Sequence, residues 1–536
     1  MFRKVLSVLL AVSLLMSMMI LGTGASASAL DERIPVREDK SQELAETKAN
    51  LDYIIPVGSG NNITYYDQNN NEVDITPDIS ASTVDESLLP SSYDLRDEGR
   101  VTSVKDQGSE GFCWNFATTS SMESSILSNP ELRAALGENP QEKLDLSEAG
   151  NTWYIHTSIE DKDSFLYGDH MVDDNKGSEG GYHHTIAMGL SSGFGAYPEE
   201  LMPYESWGIN YDEALRFYSD YRLKDYVAFD YDIALAKQRI MEYGTLYLGY
   251  TNYSSNYHYT EDGMQTYYTD GFPVNPDDSR GGHAVAVVGW DDNFSKDNFC
   301  EEMRPENDGA WLIKNSWGTW AGSTAEGYEG YFWMSYESEN DGEFAQYVMQ
   351  SVDEFDNIYQ YQYSYSNAVG VYSAANVFTA QNDEILEQIS FSNYTPADLT
   401  VQVYKLNDNY TSPEDGSLLT SFTEYIEYSG THSMDVPESV QLNAGDKFSV
   451  VLKSDSRFYI LQMLEGAIEL SNVSFYKVGE LWRDVTDIYS PGYMSIKAYT
   501  SNKDGKVYKN ELADVIEEAE NLEVNDDSYI SINDLI

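Results

Sequence analysis

A cysteine heads an uninterrupted helical run in this chain, and the rest of the fold has to be arranged around that junction. It lies in Lys105-Asp106-Gln107-Gly108-Ser109-Glu110-Gly111-Phe112-Cys113-Trp114-Asn115-Phe116-Ala117. Trp114, Ala117, Met122 and Ile126 recur on one stripe, and neither Gly nor Pro interrupts the run before Pro130. The spacing therefore predicts a helix over 113–128. A thiol at a helix N-terminus meets unpaired N–H groups and the positive end of the macrodipole, both of which favour the thiolate. A thiolate is a nucleophile at neutral pH, whereas a buried thiol is inert.

A nucleophile needs a base and an orienting group. Gly281-Gly282-His283-Ala284-Val285-Ala286-Val287-Val288-Gly289-Trp290 sets a histidine at the head of an apolar, β-branched run that reads as a buried strand. Trp311-Leu312-Ile313-Lys314-Asn315-Ser316-Trp317-Gly318 is a second short apolar segment and delivers an asparagine among aromatics. Cys113, His283 and Asn315 thus supply nucleophile, base and neutral orienter. Gln107, six residues before the cysteine, is a candidate oxyanion donor beside the Cys113 amide.

These segments, in this order, resemble the papain-like cysteine peptidases. Leu89-Pro90-Ser91-Ser92-Tyr93-Asp94-Leu95-Arg96 resembles the start of the mature enzyme, and the Gln107 to Ala117 block resembles the nucleophile loop. Leu146-Ser147-Glu148, Gly177-Ser178-Glu179-Gly180-Gly181-Tyr182 and Ala196 to Tyr204 follow. The His283 strand, the Asn315 block and Glu329-Gly330-Tyr331-Phe332 complete a resemblance that runs from residue 89 to about 340. It implies an α+β, papain-like two-lobe fold, a helical lobe packed on a β lobe, with the active site in the groove between them. It also implies that Gly180 and Gly181 pair with an extended substrate backbone, that Tyr182 and His183 line the pocket for the residue two before the cut, and that Trp317 screens the His283–Asn315 hydrogen bond.

Three departures stand out. Glu110 and Ser178 replace the two ends of the family's structural disulfide together. Phe112 replaces a small residue beside the nucleophile and is expected to reshape the cleft, while the acidic insert Asp291 to Asp308 lengthens the connection from His283 to Asn315. The remaining cysteine, Cys300, reads as a surface residue of that insert. His183-His184 suggests a metal, but no cysteine or acidic spacing completes a site, so no metal or cofactor is expected.

A formal charge of −58 over 536 residues excludes a general nucleic-acid or anionic-membrane binder, because the phosphate term would be repulsive. It suits solubility in an extracellular medium, and it is expected to favour the imidazolium form of His283. Arg3 and Lys4 before the apolar run Val5 to Leu21, with Ala25-Ser26-Ala27-Ser28-Ala29 after it, read as a signal peptide over 1–29. The expected location is secreted or extracellular, with surface association open and no stable membrane span after signal cleavage. With two cysteines in all, the chain does not depend on a disulfide framework.

Residues 30–88 read as the pro-segment of a zymogen, whose apolar piece Leu51 to Val57 is placed in the cleft. Residues 89–345 read as the peptidase. Beyond them the period changes to two: Asp398 to Tyr404, Ser417 to Phe422 and Lys447 to Leu452 alternate, the last after the turn Asn443-Ala444-Gly445-Asp446. Residues 355–500 are thus expected to form an antiparallel β-sandwich, which resembles the lectin-like domain behind bacterial papain-like peptidases. Residues 501–536 read as an acidic helical tail. The reading is a secreted cysteine endopeptidase acting on proteins or peptides, with glycans as candidate ligands of the sandwich. The rivals are a papain-fold amidase or transpeptidase on cell-wall peptides, and a surface binding protein with a vestigial peptidase.

Overall fold

The computed structural model describes residues 84–159, 177–206, 215–352, 355–362, 367–463, 470–487 and 492–503, together with Leu166, Tyr211 and the backbone of strands Asp52–Val57 and Thr64–Tyr66. The signal segment, most of the pro-segment and residues 504–536 of the tail lie outside the described residues.

Helix α1 (Cys113–Ser128) is the axis of the helical lobe, and every residue from Trp114 to Leu127 is buried. The single apolar stripe read from the sequence is therefore too narrow. Half of this helix is Ser, Thr and other polar residues, which are mediocre helix formers in isolation. They serve here because their hydroxyls dock on backbone of the facing strand and of neighbouring loops. Ser121 Oγ donates to Thr245 O (2.8 Å) and accepts from Tyr347 N (3.1 Å), and Ser124 Oγ donates to Arg100 O (2.8 Å). Ser125 Oγ accepts from Met349 N (3.0 Å). Small side chains let the strands approach closely, and tertiary contact replaces intrinsic propensity. Helices α2 (Glu148–Trp153) and α3 (Thr185–Ser191) complete the lobe around Trp153, Ile186, Leu190 and Tyr197.

The β lobe is an antiparallel ladder of β1 (Tyr221–Asp230), β2 (Leu246–Asn252), β3 (Gly281–Asp291), β4 (Ala310–Lys314), β5 (Tyr331–Ser335) and β6 (Asn340–Ser351), with helix α4 (Ile233–Tyr243) packed against it. In space the order is β1, β6, β2, β3, β4, β5. The strand bearing His283 is thus central, and its near-continuous apolar run is what a strand covered on both sides requires. The insert is more than a charged loop. Phe294 stacks on Trp333 at 4.6 Å, and Asp292 accepts from Lys237 Nζ (2.5 Å) and Tyr336 OH (2.8 Å). Cys300, half-buried, points its thiol at Glu302 (3.1 Å).

The C-terminal half is the expected sandwich. One sheet joins β7 (Asn367–Thr379), β9 (Ala397–Leu406), β10 (Gly416–Ile426), β12 (Lys447–Met463) and β13 (Ser474–Val478). The other joins β8 (Glu384–Asn393), β11 (Ser429–Leu442) and β14 (Ile496–Asn502). Their inner faces meet through Leu399, Val401, Val403, Phe448, Val450, Ile389 and Ala498. Alternation of inward apolar and outward polar residues made these strands readable from the sequence.

Two features were not readable. Strand β11 continues the β-lobe ladder: Ser429, Gly430 and Thr431 pair with Ala228, Val227 and Tyr226 of β1. Buried Lys497 bonds Ser192 Oγ and Gln360 Oε1, and Tyr499 OH donates to Ser191 O (2.9 Å), so the sandwich is fastened to both lobes. The second feature corrects the placement of Leu51 to Val57 in the cleft. The backbone of Asp52, Tyr53 and Ile54 pairs with Gly370, Val369 and Ala368 of β7, on the sandwich. An unpaired strand edge is a strong backbone template, and a β-rich segment finds it before a groove lined by side chains.

Gly430 has φ 152°, and a Cβ there would collide with Tyr226 O. Gly430→Val is expected to cost about 2–4 kcal/mol by breaking the pairing between the domains. Calorimetry should show a lowered and split transition; an unchanged thermogram would contradict this role of the ladder.

Candidate active site

Phe112 is the N-cap of α1 and supplies no side-chain cap, so the N–H groups of Cys113 and Trp114 are left facing the sulfur. The Phe112 ring is fully buried and meets Tyr204 edge-on at 6.0 Å. It therefore fills the helical core and does not shape the cleft, contrary to expectation, because the ring gains more by leaving water than by lining a groove. The loop before it carries no disulfide, but Gly111 N donates to Ser178 O at 2.6 Å. A Cβ at Gly111 would lie 2.7 Å from that oxygen, so glycine is what allows the approach. A backbone hydrogen bond thus joins the two loops.

Across the groove, Tyr250 of β2 stands opposite His283 in the ladder, and Gly249 stands opposite Ala284. The Ala284 N–H is directed at the Cys113 sulfur, which brings the histidine strand against the helix mouth. His283 Nε2 donates to Asn315 Oδ1 at 2.9 Å. That oxygen also accepts the Ser316 N–H at 2.8 Å, which fixes which end of the amide faces the ring. Nε2 being occupied, Nδ1 is the nitrogen left to exchange a proton. Trp317 stacks on the imidazole at 4.5 Å and 20°, leaving His283 6 % and Asn315 3 % exposed.

Gln107 is tied to the same block. Its N–H donates to Ser316 O (2.8 Å), its Oε1 accepts from Ser316 Oγ (2.6 Å), and its Nε2 gives one proton to Glu110 O (2.8 Å). An amide nitrogen carries two protons, so one is left for a ligand. The structure thus brings Gln107, Cys113, His283, Asn315 and Trp317 together.

The four residues of the expected substrate wall part company. Gly180, at φ 129°, has open space where a Cβ would be, whereas Gly181 and Gly177 back onto the Trp114 ring. Trp114 Nε1 holds Gly177 O at 3.0 Å. Tyr182 is 46 % exposed and stacks on His184 at 5.7 Å. His183 is mostly buried: Nδ1 meets Tyr226 OH (2.5 Å) and Nε2 meets Glu343 (3.1 Å). It braces the wall more than it presents a surface.

Burial dominates the electrostatics. It pushes the Cys113 thiol up, an effect the N–H groups of Ala284, Trp114 and Cys113 only partly offset. It pushes His283 down to about 4, against a smaller opposing pull from Asn315. The expectation that the net acidic charge favours imidazolium is thereby reversed, since a desolvated ring feels its dry surroundings more than remote, screened carboxylates.

The sequence reading assigned no role to a buried charge cluster behind these residues. Lys105 Nζ meets Glu123 (3.0 Å), Glu148 (3.0 Å) and Asp145 (2.8 Å). Lys314 Nζ donates to Thr102 Oγ1 (3.0 Å), whose hydroxyl donates to Glu123. Burial opposes the charges of Lys105, Glu123, Glu148 and Lys314. Even so, its carboxylates hold Lys105 well above the usual ammonium range, and the two lysines hold Glu123 below the usual carboxylate range. Glu148 is pushed up to about 8 and Lys314 down to about 8, both chiefly by burial. The signal was present as charges inside apolar runs: Glu123 in α1 and Lys314 after Trp311-Leu312-Ile313.

Residues 89–352 match the profile of the papain family cysteine protease, and residues 352–500 that of the lectin like domain. The chain is 28 % identical over 261 residues to procathepsin L of Felis catus, which covers 47 % of this chain and 62 % of that protein. It is 27 % identical over 252 residues to digestive cysteine proteinase 1 of Homarus americanus, covering 46 % and 62 %. The chain thus spans less than two thirds of these relatives. Among solved structures, clostridial Cwp84 after propeptide cleavage is 25 % identical, with a TM-score of 0.61, covering 77 % of this chain and 100 % of that one. The cysteine protease and lectin-like domains of Cwp84, a surface layer associated protein of Clostridium difficile, match at 23 % identity and a TM-score of 0.62, covering 88 % and 98 %. Among the described residues no helix is long and apolar enough to cross a membrane.

Trp317→Ala should let water reach the His283–Asn315 bond and lower kcat/KM about tenfold. With burial relieved, the His283 pKa should rise from about 4 toward its ordinary value, read by NMR titration of the ring. An unmoved titration would show that the indole does not screen this pair.

Proposed function

We propose, from the premise that residues 89–352 are a papain-family cysteine protease domain and residues 352–500 a lectin-like domain, that this chain is a secreted cysteine endopeptidase. The observation that carries the reading is the 2.9 Å His283–Asn315 bond under Trp317, on a strand whose next N–H faces the Cys113 sulfur.

His283 Nδ1 takes the thiol proton, and the Cys113 sulfur forms a bond to the scissile carbonyl carbon. The carbonyl electrons move onto oxygen, where the free Gln107 Nε2 proton and the Cys113 N–H receive them. Burial disfavours a lone thiolate and a lone imidazolium alike. Formed together, the two charges compensate each other, so the pair is accessible where neither alone would be. The oxyanion collapses, the C–N bond breaks, and the imidazolium gives its proton to the leaving amine. A water, deprotonated by the same ring, then hydrolyses the thioester and returns the thiol. Asn315 holds the ring through both halves.

The substrate is an extended protein segment laid along Gly180 and Gly181. The lectin-like domain would hold the enzyme near surface carbohydrate, in keeping with the reading of residues 1–29 as a secretion signal and with the surface-layer association of Cwp84.

An epoxide-type thiol-protease probe should label Cys113, and Cys113→Ala should abolish turnover while leaving the fold intact. His283→Ala should slow labelling by about a thousandfold or more. Hydrolysed products in the presence of an amine acceptor separate a peptidase from a transpeptidase. Turnover retained by Cys113→Ala would overturn the assignment.

A further inference from the structure

The loop that carries the two oxyanion donors has little of its own to hold them still. Between Gln107 and Cys113 it contains Gly108 and Gly111, and no disulfide closes it. Gly108, at φ 63°, has open space where a Cβ would be. Glycine leaves a backbone freer than any other residue does, so such a loop does not by itself aim two N–H groups at one atom. Gln107 is fixed to the β lobe at two points: its N–H donates to Ser316 O (2.8 Å), and its Oε1 accepts from Ser316 Oγ (2.6 Å). The other donor, the Cys113 N–H, opens α1 on the helical lobe. The hole is thus divided between the lobes, and its halves need a common fastening.

Tyr204, packed on the core of the helical lobe, touches both halves. Its hydroxyl donates to Gln107 O at 2.8 Å. Its ring meets Phe112 edge-on (6.0 Å, 77°) and Phe116 edge-on (4.9 Å, 87°), contacts that hold a ring at a preferred angle. Phe112 immediately precedes Cys113, and its carbonyl accepts the Phe116 N–H at 3.0 Å, so the Tyr204 ring spans the first turn of α1. Tyr204 is anchored in its turn, its own N–H donating to Glu199 Oε1 at 2.7 Å. Burial, with the carboxylates of Glu110, Glu148 and Asp106 nearby, pushes the hydroxyl up, which keeps it a donor at neutral pH.

We propose that Tyr204 is a positioning residue for the oxyanion hole, holding the Gln107 amide and the Cys113 N–H at the spacing that the tetrahedral intermediate requires. The inference rests on the peptidase reading above. Donors stabilise a developing charge strongly only when they already point at the place where it forms. With its carbonyl on Tyr204 and its N–H and Oε1 on Ser316, Gln107 is held at both ends of the residue. Its Nε2 gives one proton to Glu110 O, and the other keeps one direction. Tyr204 takes no part in the bond-making itself and acts through Gln107. Its loss should therefore weaken binding of the transition state and spare binding of the substrate.

The test uses the full-length protein with Tyr204→Phe, which keeps the ring and removes the hydroxyl. For a peptide substrate kcat/KM should fall about tenfold, carried by kcat, with KM changed less than about twofold. Affinity for a peptide nitrile should fall by about the same factor. There the Cys113 sulfur adds to the nitrile carbon, the thiol proton passes to nitrogen, and that nitrogen stands where the carbonyl oxygen would. Iodoacetamide alkylation of Cys113 displaces iodide at a saturated carbon and uses no oxyanion donor, so it should stay within about twofold of the wild-type rate. In a Gln107→Ala background, Tyr204→Phe should cost less than about twofold. Wild-type turnover in Tyr204→Phe, an equal loss in alkylation, or a full loss that persists without Gln107 overturns the inference and leaves the peptidase reading intact. A wild type that cleaves no peptide overturns both.

Discussion

Glu123 is the carboxylate on which the two lobes meet. It lies on α1, the helix that begins with Cys113, and it receives Lys105 directly and Lys314 through the Thr102 hydroxyl. Lys314 ends the strand that delivers Asn315, which in turn holds His283. One chain of buried polar contacts therefore connects the helix under the nucleophile to the strand that orients the base. Hydrophobic faces would hold the lobes together but would let them slide. Charges without water cannot slide, because a partner displaced by an ångström leaves a desolvated ion. Removing one member of such a group typically costs about 3–5 kcal/mol.

The dryness that makes this cluster rigid also sets the chemistry. It disfavours ionisation of Cys113 and of His283 taken separately, and only a concerted transfer between them escapes the penalty. The open side of the groove differs. There Gly180 and Tyr182 face solvent, so a substrate meets an open rim before reaching a dry centre.

Much of this was legible in the sequence, for identifiable reasons. Helix 113–128 and the strands around His283 and Val401 follow from uninterrupted apolar or alternating runs, which local pattern encodes directly. Phe112 was misjudged because sequence position beside a nucleophile does not say which way a ring turns. The strand Asp52–Val57 reads as apolar, but its partner is an edge some 316 residues away, and pairing across such separations leaves no local trace. Lys105, Glu123 and Lys314 were visible as charges in apolar surroundings, yet nothing in the sequence says that they face each other.

The claim that the buried cluster positions the reacting pair is tested most directly by the pH dependence of Cys113 alkylation in wild-type protein and in Glu123→Gln, each checked for a folded circular dichroism spectrum. In the wild type, alkylation should persist below pH 7, because His283 accepts the proton in concert. In Glu123→Gln it should fall by about tenfold or more below pH 7 and recover only in alkali, as burial alone dictates for a thiol pushed up. A folded variant with the wild-type profile would show that the lobes align the pair without the cluster.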